Sequence, residues 1–500
     1  MPRTTFLLVL PLIVSLATMA SAQSPADRAL AADVDTFVQR IMSISGAPGM
    51  AIAVVSGDRP VLVKGYGFAD LERRIPVTEN TIFYIASTTK AFTALTLALM
   101  ADRKTVDLDA PVTRYLRDAR WAPGVNPDSI TVRQLLTHTH GIDGDGPVVW
   151  RTAFTGVHTN ALLKDLLQHH GPSSAGRAYR YTNLGYNIAG IMIDDVRGGK
   201  WQDALARHVM TPLGMSSTAA HVSRFDSARL AMPYIMDPAG PRRAHYAKTD
   251  ANMQAAGGMV STAADLAKWL EAQINRGRLS GRQVLPEHVV AETQRQQVPA
   301  GGTRGDIQLV GYALGWMVGV LGGDTVLLHG GGFSAFRTQI AFVPRRRIGV
   351  AVVTNEGNVG GGAIDVVAQY VLDRARDGAA AQQRYAQRLT ELPAIVERIQ
   401  GRIAEDRARR AARPQTLSRP LEAYAGTYES PVWGVMTWLV RDGRLWAEIG
   451  ALKSVAEVFD HQTDRLRVEL EPGMGQVVQF KFTDGRATSL VHSGGEYLRR

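Results

Sequence analysis

The chain contains no cysteine. That single absence removes a disulfide framework, a cysteine nucleophile, a zinc ribbon and an iron–sulfur centre from consideration. Aromatic residues make up only 7% and charged residues only 20%. Past the first two dozen residues there is no apolar run of the roughly 18 positions a membrane-crossing helix needs. What is present is ordinary: 45% hydrophobic residues, 49 Gly and 23 Pro in 500 residues. This composition excludes a disordered tail, a collagen-like repeat and a coiled coil, and the length suffices for two or three domain-sized units.

The first 22 residues read as an export signal. Arg3 supplies the positive start, residues 6–17 form a short apolar core, and Ala20-Ser21-Ala22 has the small side chains a signal peptidase accepts. A periplasmic or secreted protein without a stable membrane span after signal removal is therefore expected. The formal net charge of +10 does not imply a nucleic-acid partner. Its densest basic stretch (Arg398, Arg402, Arg407, Arg409, Arg410, Arg413) is interleaved with Glu397, Glu405 and Asp406, the pattern of a solvated helix and linker.

Residues 34–44 carry apolar side chains at helical spacing. Residues 50–56 and 61–66 read as strands around the Gly57-Asp58 turn signal. Residues 91–100 are apolar nearly all round, as in a buried helix. The middle of the chain, to about residue 297, is mostly helical with Pro/Gly punctuation. Strand-like runs return at 325–328, 338–342 and 348–354, followed by a helical pattern at 363–376. Strands at both ends bracketing a helical middle predict an α+β fold: one antiparallel sheet flanked by helices, with an inserted helical subdomain. This unit is placed at 23–377, a polar helical linker at 378–418, and a small antiparallel β domain, barrel or half-barrel, at 419–500. The last assignment rests on Leu466, Val468 and Leu470 alternating with charged residues, and on hairpin signals at Asp442-Gly443 and Asp484-Gly485.

Three separated segments carry side chains suited to nucleophilic catalysis. In Ser87-Thr88-Thr89-Lys90, placed at the start of the buried helix, the serine and lysine share a face. Burial and the positive helix end both disfavour an ammonium there, so Lys90 can give up its proton and act as base toward Ser87. In Tyr181-Thr182-Asn183, residues two apart point the same way in extended chain, so the phenol and the amide can face one cleft. In His329-Gly330-Gly331-Gly332, glycines on an edge strand admit a substrate backbone and leave N–H groups free for an oxyanion. Taken singly, each also fits a helix cap, a turn with a core tyrosine, or a flexible glycine turn.

Together they resemble the serine β-lactamase and penicillin-binding-protein superfamily, in particular its class C β-lactamase-like serine hydrolases. Phe83-Tyr84-Ile85-Ala86 ahead of Ser87, Leu135-Leu136-Thr137-His138-Thr139-His140-Gly141-Ile142, Tyr181 to Tyr186, Pro212-Leu213-Gly214-Met215 and Gly257-Gly258-Met259-Val260-Ser261-Thr262 fall in the family's order over roughly residues 35–375. The resemblance implies the β-lactamase/transpeptidase-like fold and a covalent acyl-serine mechanism. In that mechanism Ser87 is the nucleophile, Lys90 its base and Tyr181 the proton relay. Asn183 orients the substrate, and the Ser87 and Gly332 N–H groups hold the oxyanion beside His329, Gly330 and Gly331. It implies a small-molecule or peptide substrate and neither a metal nor an organic cofactor.

Two departures narrow the substrate. Many penicillin-recognising relatives carry lysine where this chain has His329, so a substrate carboxylate loses its partner; esters, amides or peptides with less anionic ends are favoured over β-lactams. His140 replaces the family's usual serine. Two other readings compete: a catalytically silent binding module on the same fold, and a metal-dependent hydrolase built on His138, His140 and Asp143. The sequence does not choose an oligomeric state.

Overall fold

A computed structural model describes residues 23–500; the export-signal segment lies outside the described residues. Nine strands form the principal antiparallel sheet: β1 (Gly49–Ser56), β2 (Arg59–Asp70), β3 (Ile75–Pro76), β4 (Val298–Arg304), β5 (Ile307–Tyr312), β6 (Met317–Leu321), β7 (Asp324–Phe333), β8 (Phe336–Val343) and β9 (Ile348–Thr354). Their order is β4-β5-β6-β7-β8-β9-β1-β2-β3, so β1 from one end of the chain pairs with β9 from the other, Ala53 opposite Ala351. β1 is buried from Gly49 to Val55 because both of its faces are covered. Met50, Ile52 and Val54 enter one core and Ala51, Ala53 and Val55 the other.

The helices that frame the site are α1 (Pro25–Ser45), α2 (Thr89–Asp102), α3 (Leu184–Arg197), α4 (Ala263–Ile274), α5 (Gly360–Asp377) and α6 (Ala379–Ala411). α1 begins where the Ser24 side chain accepts from the Asp27 N–H with Pro25 in the first turn, and it ends at Gly46 with φ 66°. α1 and α5 cover one face of the sheet and α4 the other. α2 lies in the second core, buried all round from Thr89 to Met100. The stretch read as a polar linker is the single helix α6, and its Tyr385, Leu389, Leu392 and Val396 are buried against the first core.

A second antiparallel sheet takes the C-terminal residues: β10 (Gly426–Ser430), β11 (Gly434–Arg441), β12 (Arg444–Ile449), β13 (Leu452–Val455), β14 (Glu457–Asp460), β15 (Arg465–Glu471), β16 (Met474–Thr483), β17 (Arg486–His492) and β18 (Gly495–Arg499). Leu466, Val468 and Leu470 point inward to Tyr428, Trp438, Phe480 and Tyr497. Asp442-Gly443 and Asp484-Gly485 all have positive φ, the conformation tight hairpins require. Strand β13 comes alongside β15, where the Glu469 N–H donates to the Ser454 hydroxyl at 2.8 Å, and the sheet is nearly closed into a barrel. Among the described residues no helix is long and apolar enough to cross a membrane.

Candidate active site

Ser87 sits in a 3-10 turn, Ala86–Thr88, immediately ahead of α2 rather than inside its first turn. Ala86 holds a left-handed φ of 47°, a conformation costing about 1–3 kcal/mol for a residue with a β-carbon. Three interactions hold it. The Thr88 hydroxyl donates to the Ile85 carbonyl at 2.8 Å, the Thr89 hydroxyl donates to the Ala86 carbonyl at 2.7 Å, and the Ile85 N–H donates to the Met259 carbonyl at 3.0 Å. The two threonines between Ser87 and Lys90 thus pin the turn.

Lys90 is fully buried. Its Nζ lies 2.7 Å from the Ala256 carbonyl oxygen, 2.8 Å from Asn183 Oδ1 and 3.3 Å from Ser87 Oγ. Burial pulls its pKa down to about 7, with the Asp145 carboxylate acting in the opposite direction. The amine lies 4.9 Å from the Tyr181 ring centroid. Burial holds the Tyr181 phenol neutral, far above its ordinary pKa, and the Ser87 hydroxyl beside it acts in the opposite direction. The tyrosine is nonetheless 36% exposed. Ser87, Lys90, Tyr181 and Asn183 therefore meet at one point, although nearly a hundred residues separate the two pairs in sequence.

Two histidines hold the tyrosine segment. His138, itself at φ 59°, accepts the Thr182 N–H on Nδ1 at 3.3 Å and lies 4.5 Å from the Tyr181 ring. His140 accepts the Ile142 N–H on Nδ1 at 3.1 Å, which leaves Nε2–H to donate to the Thr182 hydroxyl at 3.1 Å. Burial lowers both pKa values, that of His140 to about 4. The residue standing in place of the family's serine is thus a neutral clamp on Thr182, between Tyr181 and Asn183. His138, His140 and Asp143 do not form a ligand set: among the described residues no group of three or more His, Asp or Glu is arranged to hold a metal ion.

The glycine segment lies at the end of β7. This strand is internal to the sheet, not an edge, yet its pairing with β6 stops at Leu328 while that with β8 continues to Phe333. One side of residues 330–333 is consequently free, which is the property the edge-strand expectation asked for. A β-carbon on Gly331 would stand 2.3 Å from the Ile85 carbonyl, so only glycine lets this strand lie against the Ser87 turn. Gly332 is exposed next to it. A β-carbon on Gly330 would meet the Arg304 guanidinium at 2.5 Å, on the face away from His329. His329 is fully buried, 6.0 Å ring to ring from Tyr181.

Sequence reading missed three parts of this arrangement. The Ala256 carbonyl carries no side-chain signal; the nearest one is the Gly257-Gly258 pair that follows it, where a β-carbon on Gly257 would stand 2.9 Å from Gln254 Nε2 and one on Gly258 2.1 Å from the Gln254 nitrogen. Tyr312 meets His329 from β5. Phe333, next to Gly332, packs at 5.5 Å on Tyr84 and 5.8 Å on Tyr246, with Lys248 Nζ 3.6 Å from its ring centroid. Lys248 in turn faces Glu471 of the C-terminal sheet, which sets that sheet close behind the glycine segment.

Residues 34–369 match the family model described as Beta-lactamase. Among similar curated proteins, protein flp of Staphylococcus aureus strain MW2 is 25% identical over 330 residues, 64% of this chain and 62% of that protein. The chain thus spans less than two thirds of the flp proteins it matches. The unguisins hydrolase ungD of Aspergillus violaceofuscus is 28% identical over 467 residues, 86% of this chain and 80% of that protein. Among solved structures, the octameric penicillin-binding protein homologue from Pyrococcus abyssi superposes with TM-score 0.58 at 22% identity, covering 94% of this chain and 99% of that one. The crystal structure of SurE superposes with TM-score 0.54 at 21% identity, covering 95% and 100%. At these identities the structural matches speak for the fold.

Proposed function

The chain belongs to the beta-lactamase family, and from that premise we propose that it is an exported serine hydrolase that cleaves an ester or amide bond through an acyl-serine intermediate. The observation that carries this reading is the meeting of Ser87, Lys90 and Tyr181 around an amine whose pKa burial brings to about 7. A neutral Lys90 takes the Ser87 proton while Oγ attacks the substrate carbonyl carbon. The oxyanion is received by the N–H groups of Ser87 and Gly332, a role supported by the close approach of Gly331 to the Ile85 carbonyl. Tyr181 passes a proton to the leaving group. Water then enters, gives a proton back along the same route and releases the acid from Ser87. The relative named as a hydrolase supports hydrolysis. The uncharged His329 supports substrates without a carboxylate at that point, esters, amides and peptides ahead of β-lactams.

The test is active-site labelling with a fluorophosphonate, read by intact mass, beside turnover of a panel of esters, β-lactams and D-amino-acid amides. One adduct on wild type and none on Ser87→Ala is expected, with hydrolysis lost in step. Labelling or turnover that survives in Ser87→Ala would move the nucleophile elsewhere. No adduct and no turnover on wild type would leave a binding module instead of an enzyme. Export is checked separately, by the N-terminus of the mature protein.

A further inference from the structure

We propose that Asp145 is a positioning residue of the site: it fixes the Asn183 amide with its oxygen toward Lys90, and so aims the lone pair of the neutral lysine at Ser87. The proposal rests on the serine-hydrolase reading above. Asp145 precedes the short helix Gly146–Val149 and reaches the start of α3. Its Oδ1 accepts the backbone N–H of Asn183 at 2.6 Å and of Leu184 at 2.9 Å, and its Oδ2 accepts from Asn183 Nδ2 at 3.0 Å.

The chemistry of the groups leaves one arrangement. An ionised carboxylate only accepts hydrogen bonds, so the edge of the Asn183 amide turned to Asp145 is the NH2. The amide is planar, and its oxygen then points the other way, to Lys90 Nζ at 2.8 Å. A neutral amine has two hydrogens and one lone pair. The Ala256 carbonyl and Asn183 Oδ1 both accept only, so they take the two hydrogens. The direction that remains runs to Ser87 Oγ, and the lone pair lies along it. With the amide reversed, its NH2 would donate to that lone pair and turn the base away from the nucleophile.

The other groups facing Lys90 do not substitute for Asp145. They are the Tyr181 and Tyr186 rings, at 4.9 and 5.5 Å, and two imidazoles, His138 and His329, that burial keeps neutral. Asp145 is the carboxylate that acts on the amine through space, and it opposes the effect of burial.

The experiment compares Asp145→Asn, Asp145→Ser and the swap Asp145→Asn/Asn183→Asp with wild type. The readouts are the fluorophosphonate labelling rate at Ser87 as a function of pH, and thermal melting. Asparagine and serine at 145 still offer an oxygen to cap α3 but no longer dictate the amide's orientation. Labelling on the high-pH plateau is expected to fall roughly 10- to 100-fold, and the acidic limb of the profile to move to lower pH as the negative charge is lost. In the swap, the carboxylate now at position 183 accepts from Lys90, and the amide now at position 145 donates to that carboxylate. The plateau is expected to recover and the limb to move above its wild-type position, since a carboxylate now touches the amine. Wild-type labelling with an unchanged limb in either single variant overturns the proposal while leaving the hydrolase intact. So does a folded swap that recovers nothing, since Asp145 would then serve only as a cap. Absence of labelling in wild type itself strikes at the hydrolase reading instead.

Discussion

The hydroxyl of Tyr312 lies 3.2 Å from Nε2 of His329, and the other ring nitrogen, Nδ1, is 2.7 Å from the Gly330 carbonyl oxygen. A carbonyl only accepts, so Nδ1 carries the hydrogen and Nε2 receives the tyrosine O–H. The imidazole is held neutral in one tautomer, and burial with the nearby Lys90 brings its pKa down to about 3. No positive charge develops at this position in any ordinary buffer.

On the proposed function, the pH dependence of the reaction is therefore expected to belong to Lys90, with a pKa of about 7. In the proposed mechanism the base is the neutral amine, so kcat/KM is expected to be flat above pH 8 and to fall about tenfold per unit below 7. His329→Gln keeps a neutral acceptor for Tyr312 and should leave that limb where it is. A limb that moves with His329→Gln in a kcat/KM profile would assign the titration to the histidine.

Gly331 sets a steric condition on the proposed oxyanion site. A methyl group there would stand 2.3 Å from the Ile85 carbonyl, a backbone atom that cannot rotate away. In Gly331→Ala the end of β7 must withdraw from the Ser87 turn and take the Gly332 N–H with it. Loss of one oxyanion donor costs about 10²–10³ in kcat. Rates on an activated ester, with fluorophosphonate labelling and melting measured in parallel, check this; wild-type kcat in a folded variant would remove Gly332 from the site.

These features differ in how far the sequence announced them. Residues 50–56 and 348–354 were legible as strands because two covered faces call for nearly unbroken apolar runs, and the Ser87, Tyr181 and His329 segments stood out because each joins a reactive group to a local pattern. β4 and β5 were not: β4 contains Pro299, Gly301 and Gly302 and lies largely exposed at the sheet margin. In α6 the spacing of Tyr385, Leu389, Leu392 and Val396 was masked by the charged residues around it. His140 was conspicuous but its role was not, since the partner that explains it, Thr182, is 42 residues away. Asp145 and the Ala256 carbonyl act only through tertiary contacts; no local pattern marks Asp145, and Ala256 has only the neighbouring Gly257-Gly258 pair to mark it.

Glu471 links the C-terminal sheet to the site in a way that shows in stability. Burial raises its carboxyl pKa from 4.5 to about 7, although Lys248 draws it the other way. Between those values the native chain binds the proton more tightly than the unfolded chain, so stability falls as pH rises through 4.5 to 7 and the loss is complete above 7. Glu471→Gln cannot ionise and should escape that loss, gaining at most about 3 kcal/mol over wild type by pH 8 and almost nothing at pH 4. Melting curves at both pH values check the sign; an equal difference at each would show that the carboxyl does not titrate in this window.

Lys90 carries a cost to the fold that pH separates from its proposed use in the site. In the unfolded chain the amine titrates near 10.5 and in the native chain near 7. From 10.5 down to 7 the unfolded state takes up a proton that the native state refuses, so the penalty grows as pH falls and is constant below 7. Lys90→Met removes this penalty, up to about 5 kcal/mol. It also leaves the Ala256 carbonyl and Asn183 Oδ1 without a donor, at about 1–3 kcal/mol each. The second effect does not depend on pH, and the first does. The stability of Lys90→Met relative to wild type is therefore expected to rise steadily from pH 10 to pH 7 and to level off below, whatever its absolute sign. Denaturant unfolding across that range measures it, and a difference that stays flat would mean that Lys90 keeps its proton in the folded protein and is no base for Ser87.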